Sequence, residues 1–220
     1  MNRRRLVELI ELGEGLHVEF KQRFSTFEKI AKEIIAFANT NGGWLILGVD
    51  DDKSLYGIES EKGDAELIKE TAEKYCEPPV KYALHNFEIE NKEILLVEIP
   101  ESVNKPHRLQ DYLPHIDLNN VSVYVRVNDK SVLAGKEMIK IMQAQTAKMS
   151  LRNYEIGDNE RIVFEYLEEH ETITAKELSQ YANISNRRAS RTLIKLVRAN
   201  LLLIHTKDNG GDYFTYAGGS

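Results

Sequence analysis

The sequence predicts an α+β protein of two domains. The larger carries a mostly antiparallel sheet, and the smaller is built from three helices and a hairpin. Three observations point there. Apolar residues recur at helical spacing in some segments and alternate in others, so both helices and strands are specified. Strand-like segments come in adjacent pairs joined by short turns, as antiparallel neighbours do. The polar stretch SLRNYEIGDN, residues 150–159, separates two regions of different character.

Residues 3–12 place Leu6, Leu9 and Ile10 on one helical stripe. In LHVEFK, residues 16–21, Leu16, Val18 and Phe20 alternate with His17, Glu19 and Lys21, which predicts a strand with Glu19 on its polar face. Glu14 lies just before it in a Gly-flanked turn. STFEKIAKEIIAFAN is a helix that Ser25 or Thr26 can cap, since a hydroxyl accepts a free amide of the first turn. Residues 39–43 end it, because Gly tolerates the left-handed backbone of a helix exit. WLILGV follows as a central strand, apolar on both faces, and residues 50–53 turn the chain into LYGIE. A second helix over 64–75 stops at EPP, where proline removes an amide and biases its predecessor away from helix. The strands VKYALHNFEIE and KEILLVEIP meet near Asn91. A polar stretch over 101–120 then leads to the strand VSVYVRVN, a turn at Asp129 and Lys130, and a helix over 136–148.

The first domain is therefore expected at 1–149, a linker at 150–157 and the second domain at 158–217. In the second, NERIVFEYLEEH, TAKELSQYA and NRRASRTLIKLVRAN read as helices. Thr174 caps the middle one, and NIS is a tight turn. LLLIHTK and YFTYA form a hairpin across DNGGD, whose Gly210 and Gly211 free the backbone. Helix, helix, turn, helix, hairpin is the order of a winged helix-turn-helix.

The composition, 42% hydrophobic and 29% charged over 220 residues, is that of a water-soluble globular protein. No apolar run approaches the roughly 20 residues a membrane span needs, and the start lacks the apolar core of a secretory signal. A cytoplasmic protein with no membrane partner is expected. Cys76 is the single cysteine, which excludes an intrachain disulfide framework and a cysteine zinc site. There is no phosphate-binding P-loop motif. His107 and His115 lack metal-ligand spacing, and His85 and His205 fall in strand patterns. The net charge of −6 argues against coating nucleic acid with the whole surface, although one local basic face suffices for binding.

Such a face is present. Arg187, Arg188, Arg191, Lys195 and Arg198 share the third helix of the second domain, and no acid occurs between Glu177 and Asp208. Ala189, Leu193, Leu196 and Val197 fall on the opposite, core-facing side. Arg187, Arg188 and Arg191 project from the N-terminal part of the helix, where a recognition helix meets base edges. Asn186, Ser190 and Thr192 add neutral hydrogen-bonding groups, while the flanking DNGGD turn is acidic. The alternative is a solvated helix in a domain used for protein contact or dimerisation. A second cluster is acidic: Glu14, Glu19 and Asp50 or Asp51 lie near strand ends that can be neighbours. Converging carboxylates raise one another's pKa unless a cation sits among them. A divalent ion there would activate water against a phosphodiester, with Lys21 neutralising phosphate charge. Turn acids plus one strand-surface Glu explain the spacing as well. NTNGG can offer backbone amides to an anion or simply close the helix.

EGLHVEFK, EIIAFANTNGGWLILGVDDD, LYGI and VYVRVNDKSVLA, in that order, resemble the AlbA-like domain shared by Schlafen proteins and many bacterial proteins. The resemblance spans residues 10–145, and the following winged helix is similar to one appended in many bacterial members. For the regulator-like members it implies nucleic-acid binding, DNA first and RNA as the alternative, with the winged helix as reader. On this reading Asn186, Arg187, Arg188, Ser190, Arg191 and Lys195 are the contacting residues. For nuclease-active Schlafen members it implies metal-dependent cleavage of structured RNA such as tRNA. The matching positions are Glu14, Glu19 and Asp51, with Lys21 beside them and Asp50 adjacent; Mg²⁺ or Mn²⁺ would be the cofactor. Those nucleases close a basic channel with two related lobes, and this sequence holds one, so an equivalent cleft requires a homodimer. The leading expectation is a dimeric DNA-binding regulator of transcription; the rival is the endoribonuclease.

Overall fold

A computed structural model describes residues 1–147 and 156–217. It divides into two compact units, Met1–Leu133 and Ala134–Ser220. Most of the expected linker, 150–157, lies outside the described residues. Among the described residues no helix is long and apolar enough to cross a membrane.

The first unit opens with α1 (Arg3–Leu12), capped by the Asn2 side chain, and β1 (Val18–Lys21). Next come α2 (Phe27–Asn39), β2 (Gly43–Leu47) and α3 (Glu61–Glu70), the last continuing as a wider helical turn over Thr71–Tyr75. Thr26 is the residue that caps α2, its Oγ1 accepting the Lys29 amide at 3.3 Å. Gly42, at φ 71°, reverses the chain after α2, its amide donating to the Phe37 carbonyl; a Cβ there would lie 2.7 Å from the Ile99 carbonyl oxygen. The remaining strands are β3 (Cys76–Glu77), β4 (Ala83–Ile89), β5 (Lys92–Ile99), β6 (Arg108–Leu109), β7 (Tyr124–Val127) and β8 (Lys130–Leu133).

The main sheet has the order β1-β2-β5-β4. β1 runs parallel to β2, and the other two pairings are antiparallel. Alternation along the central strands feeds two cores. Leu45, Leu47, Leu95 and Val97 pack with α2, while Ile46, Ile94 and Leu96 pack with Leu6, Leu9 and Ile10 of α1. Helices thus cover both faces, which is why WLILGV is apolar throughout. Each fully buried Leu or Ile contributes roughly 1.5–3 kcal/mol. The fold is α+β with a mostly antiparallel sheet, as expected.

The second unit comprises α4 (Lys136–Thr146), α5 (Asp158–Glu169), α6 (Ala175–Tyr181), α7 (Asn186–Arg198) and the hairpin β9 (Leu202–Thr206) with β10 (Asp212–Tyr216). Thr174 and Glu177 form a reciprocal capping box on α6. Ile173 pairs with Phe214 of β10 through an isolated antiparallel bridge beside the hairpin. Val163, Leu167, Leu178, Leu193, Leu196, Leu202 and Phe214 form the core, and Ile141 of α4 belongs to it. The sequence reading grouped α4 with the first domain. The structure places it in the second unit, because its apolar face packs beside α7 and the hairpin. The Asp212 carboxylate fixes its start, accepting the Met138 amide at 3.1 Å and the Thr206 hydroxyl at 3.0 Å. Burial pushes the Asp212 pKa up to about 6, and the Glu137 carboxylate adds to the rise. The acid expected on the wing therefore turns inward.

Candidate nucleic-acid interface and acidic cluster

The acidic cluster lies in the first unit, around the start and end of β1. Period-two alternation put Glu19 on a polar face. In the structure Glu19 is only 8% exposed, and Val18 and Phe20 beside it are buried too. What covers Glu19 is Arg126 of β7, whose side chain is fully buried. Its Nη1 lies 2.9 Å from Glu19 Oε2, 3.1 Å from Glu33 Oε2 of α2 and 3.1 Å from Ser131 Oγ of β8. Its Nη2 donates to the Gly15 carbonyl at 2.6 Å, and the guanidinium sits 4.8 Å from the Phe37 ring centre. Ser131 donates to Glu33 at 2.5 Å. The other Glu19 oxygen accepts from Lys21 Nζ. Two carboxylates thus meet two cations, the arrangement that makes buried charge tolerable.

The other acids are engaged differently. Glu14 Oε1 accepts the Phe20 amide at 2.8 Å. Burial raises the Glu14 pKa, and the nearby Glu19 and Asp51 charges add to the rise against the Phe20 amide and Lys21. Asp50 accepts from Gln22 Nε2 at 3.4 Å and from the Asp51 amide at 3.0 Å, and Asp51 is exposed. The structure therefore brings Glu14, Glu19, Lys21 and Asp51 into one electrostatic neighbourhood. Among the described residues, however, no group of three His, Cys, Asp or Glu side chains is placed to hold a metal ion. Glu19 has both oxygens committed to cations and Glu14 has one committed to the Phe20 amide, so these residues as arranged do not fit the divalent ion that the resemblance implies.

Sequence reasoning missed Arg126, Glu33 and Ser131. The one available signal was a charged residue inside the apolar strand pattern VYVRV. The NTNGG segment is likewise structural. Asn39 binds the His107 amide and the His107 and Tyr124 carbonyls, Thr40 accepts the Arg126 amide, and the Thr40, Gly42 and Trp44 amides donate within the fold. His107, 2% exposed, is structural too: it contacts the Pro78 carbonyl and the Ser102 hydroxyl, and burial lowers its pKa. Cys76 is buried, which pushes its thiol up to about 12 and makes it a poor nucleophile.

The cationic site lies in the second unit. Ser185 caps α7 by accepting the Arg188 amide at 3.3 Å, fixing where the helix begins. Ala189, Leu193 and Leu196 enter the core, which leaves Asn186, Arg187, Arg188, Arg191 and Lys195 exposed. Among the described residues none of those four cations makes an ion pair. Ser190 departs from expectation: it is 4% exposed, because it sits at the border of the exposed arc and Lys140 of α4 reaches its hydroxyl at 3.5 Å. Thr192 is buried on the other border. A groove of about 1160 Å³ runs along this face, lined by Lys140 and Ala144 of α4, the first residues of α5 and the cations of α7.

Two solved structures illustrate what the chain is similar to. One is the DIP2311 protein of Corynebacterium diphtheriae, 17% identical with a TM-score of 0.44, covering 64% of this chain and 32% of that one. This chain therefore spans about a third of that protein's length. The other is the N-terminal domain of an ATP-dependent DNA helicase RecG-related protein of Nitrosomonas europaea, 23% identical with a TM-score of 0.39, covering 57% of this chain and 92% of that one. The family model described as Schlafen, AlbA_2 matches residues 14–135. That stretch is more than half of the sequence and holds the motifs EGLHVEFK, GVDDD and VYVRV, so the chain belongs to the Schlafen AlbA_2 family.

Proposed function

We propose that this protein binds nucleic acid through α7 and acts as a DNA-binding regulator of transcription. One observation carries the reading. In a chain of net charge −6, Arg187, Arg188, Arg191 and Lys195 stand exposed on one acid-free helix, with no ion-pair partner among the described residues. Solvating four like charges side by side serves no packing purpose, and a polyanion is their natural complement. The order α5, α6, α7 and hairpin within the second unit supports the same reading, since it presents such a helix outward. Homodimerisation would place two copies of α7 on one duplex.

Binding of the full-length protein to mixed-sequence duplex DNA, measured against salt, tests this. The double variant Arg187→Ala with Arg191→Ala should bind about 10- to 100-fold more weakly at low salt, with a visibly flatter salt dependence. Curves that superimpose on the wild type would overturn the reading. The rival, a metal-dependent endoribonuclease acting through Glu14, Glu19 and Asp51, draws support from their shared electrostatic neighbourhood and would require Glu19 to exchange Arg126 or Lys21 for the ion. Incubation of labelled tRNA with Mn²⁺ decides it: cleavage by the wild type that Glu19→Ala abolishes would favour the nuclease.

A further inference from the structure

We infer that α4, outside the expected winged helix, is the second wall of the α7 site, and that the groove between α4 and α7 seats the phosphodiester backbone of one nucleic-acid strand. The inference rests on the nucleic-acid reading of α7 and adds a residue and a mode of contact to it.

The groove is built from two helices of the same unit. Ile141 of α4 is buried in the core that holds Leu193 and Leu196 of α7, which fixes the two helices side by side. One helical turn allows Lys140 to project along the seam, where its Nζ lies 3.5 Å from Ser190 Oγ. That distance is at the outer limit of a hydrogen bond, so the ammonium gives up little by turning to a stronger acceptor. Lys140, Arg188, Arg191 and Lys195 then line one concave surface with Ala144 as a small, uncharged part of the wall.

Shape and spacing favour a strand over a small anion. At about 1160 Å³ the groove exceeds the roughly 300–1,000 Å³ of small-molecule pockets. Arg188, Arg191 and Lys195 follow one another at about 4.5 and 6 Å along the helix axis, given about 1.5 Å of rise per residue. Their total span of about 10.5 Å matches about three phosphate steps, at about 3.4 Å of axis per strand in a duplex. Among the described residues no aromatic side chain lines the groove, so those residues offer bases no stacking platform. The contact that Lys140 adds is with the backbone and carries no sequence information. Asp158 and Glu160, at the start of α5, line the groove too. Their carboxylates repel phosphate and confine the strand to the α4 side.

The test measures binding of full-length Lys140→Ala, Lys140→Arg and Ala144→Glu to a mixed-sequence single strand and to the matching duplex, against salt. Thermal unfolding of each variant confirms that the unit is intact. Lys140→Ala should bind about 3- to 10-fold more weakly on every sequence, with a salt slope smaller by about 0.7 on the single strand or 0.9 on the duplex. Lys140→Arg should restore binding, and Ala144→Glu should weaken it at least as much as Lys140→Ala. Loss on the single strand alone, or on both substrates, supports the seat and identifies which strand form occupies it. A folded Lys140→Ala and Ala144→Glu that bind both substrates like the wild type, while Arg187→Ala with Arg191→Ala fails, would overturn the groove and spare the α7 reading. Wild-type protein that binds neither substrate would overturn both, and binding of a poly-glutamate peptide with equal affinity would overturn the nucleic-acid seat in favour of an acidic protein partner.

Discussion

Arg126 and Arg191 are the same residue type in opposite circumstances. Arg126 is fully buried, held by Glu19, Glu33, Ser131 and the Gly15 carbonyl, and stacked on Phe37. Arg191 is exposed on α7 and, among the described residues, bonded to no acid. The first cation completes a neutral cluster that ties β1, α2, β7 and β8 together. The second adds to an uncompensated field. A charge whose partners lie within the fold stabilises the fold, and a charge whose partners are absent from it is available to another molecule. Two acids with internal partners differ in kind: Glu19 is held by cations, whereas Asp212 accepts only neutral donors, the Met138 amide and the Thr206 hydroxyl.

The contrast breaks most visibly in stability. Arg126→Ala leaves Glu19 and Glu33 buried without their cation, and should destabilise the first unit by roughly 3–5 kcal/mol, read from denaturant unfolding. Arg126→Met combined with Glu19→Gln and Glu33→Gln should recover most of that loss, since no buried charge is left unpaired. By comparison Arg191→Ala should change unfolding by no more than about 0.5 kcal/mol while weakening nucleic-acid binding. If Arg126→Ala melts like the wild type, the internal-partner account fails.

Asp212 sharpens the comparison through pH. Its pKa is raised from near 3.8 to about 6 in the fold, chiefly by burial, so the folded state disfavours its ionised form. The sign follows from linkage. The stability this group confers is full below about pH 4, is lost as pH rises from there through about 6, and is flat above. The span is about 3 kcal/mol. Asp212→Asn, which can still accept the Met138 amide, should flatten that window in unfolding of the second unit measured between pH 4 and 7. The smallest effect is expected at Glu14. Glu14→Gln keeps an acceptor for the Phe20 amide and removes a carboxylate whose pKa burial raises. At low pH the variant should match the wild type, and it should gain on the wild type as pH rises and Glu14 ionises, read from unfolding across that range; a variant that unfolds far more readily at every pH would show that the acid does more than hold its turn.

Local patterns made much of this legible. Helical stripes such as Leu6, Leu9 and Ile10, the caps Thr26 and Thr174, and the apolar run WLILGV depend on neighbours a few residues apart, and they form where their spacing requires. The acid-free arginine helix was equally plain. Less legible were the residues whose surroundings come from far along the chain. Glu19 looked like a surface residue because alternation says which face a side chain takes, not what covers that face. Arg126 lies 107 residues away in sequence. Ser190 reads as an exposed hydroxyl on α7 until α4 is packed beside it.

The sequence by itself determined the helices, the strands of the main sheet and the hairpin, the family and the position of the cationic face, because each rests on short-range periodicity or on contiguous motifs. Only the tertiary structure decided that Glu19 is bound to Arg126, that α4 joins the second unit, and that Lys140 shares a groove with α7. Those outcomes depend on contacts between segments distant in the chain, where burial and electrostatic pairing set which charges are neutralised and which face outward.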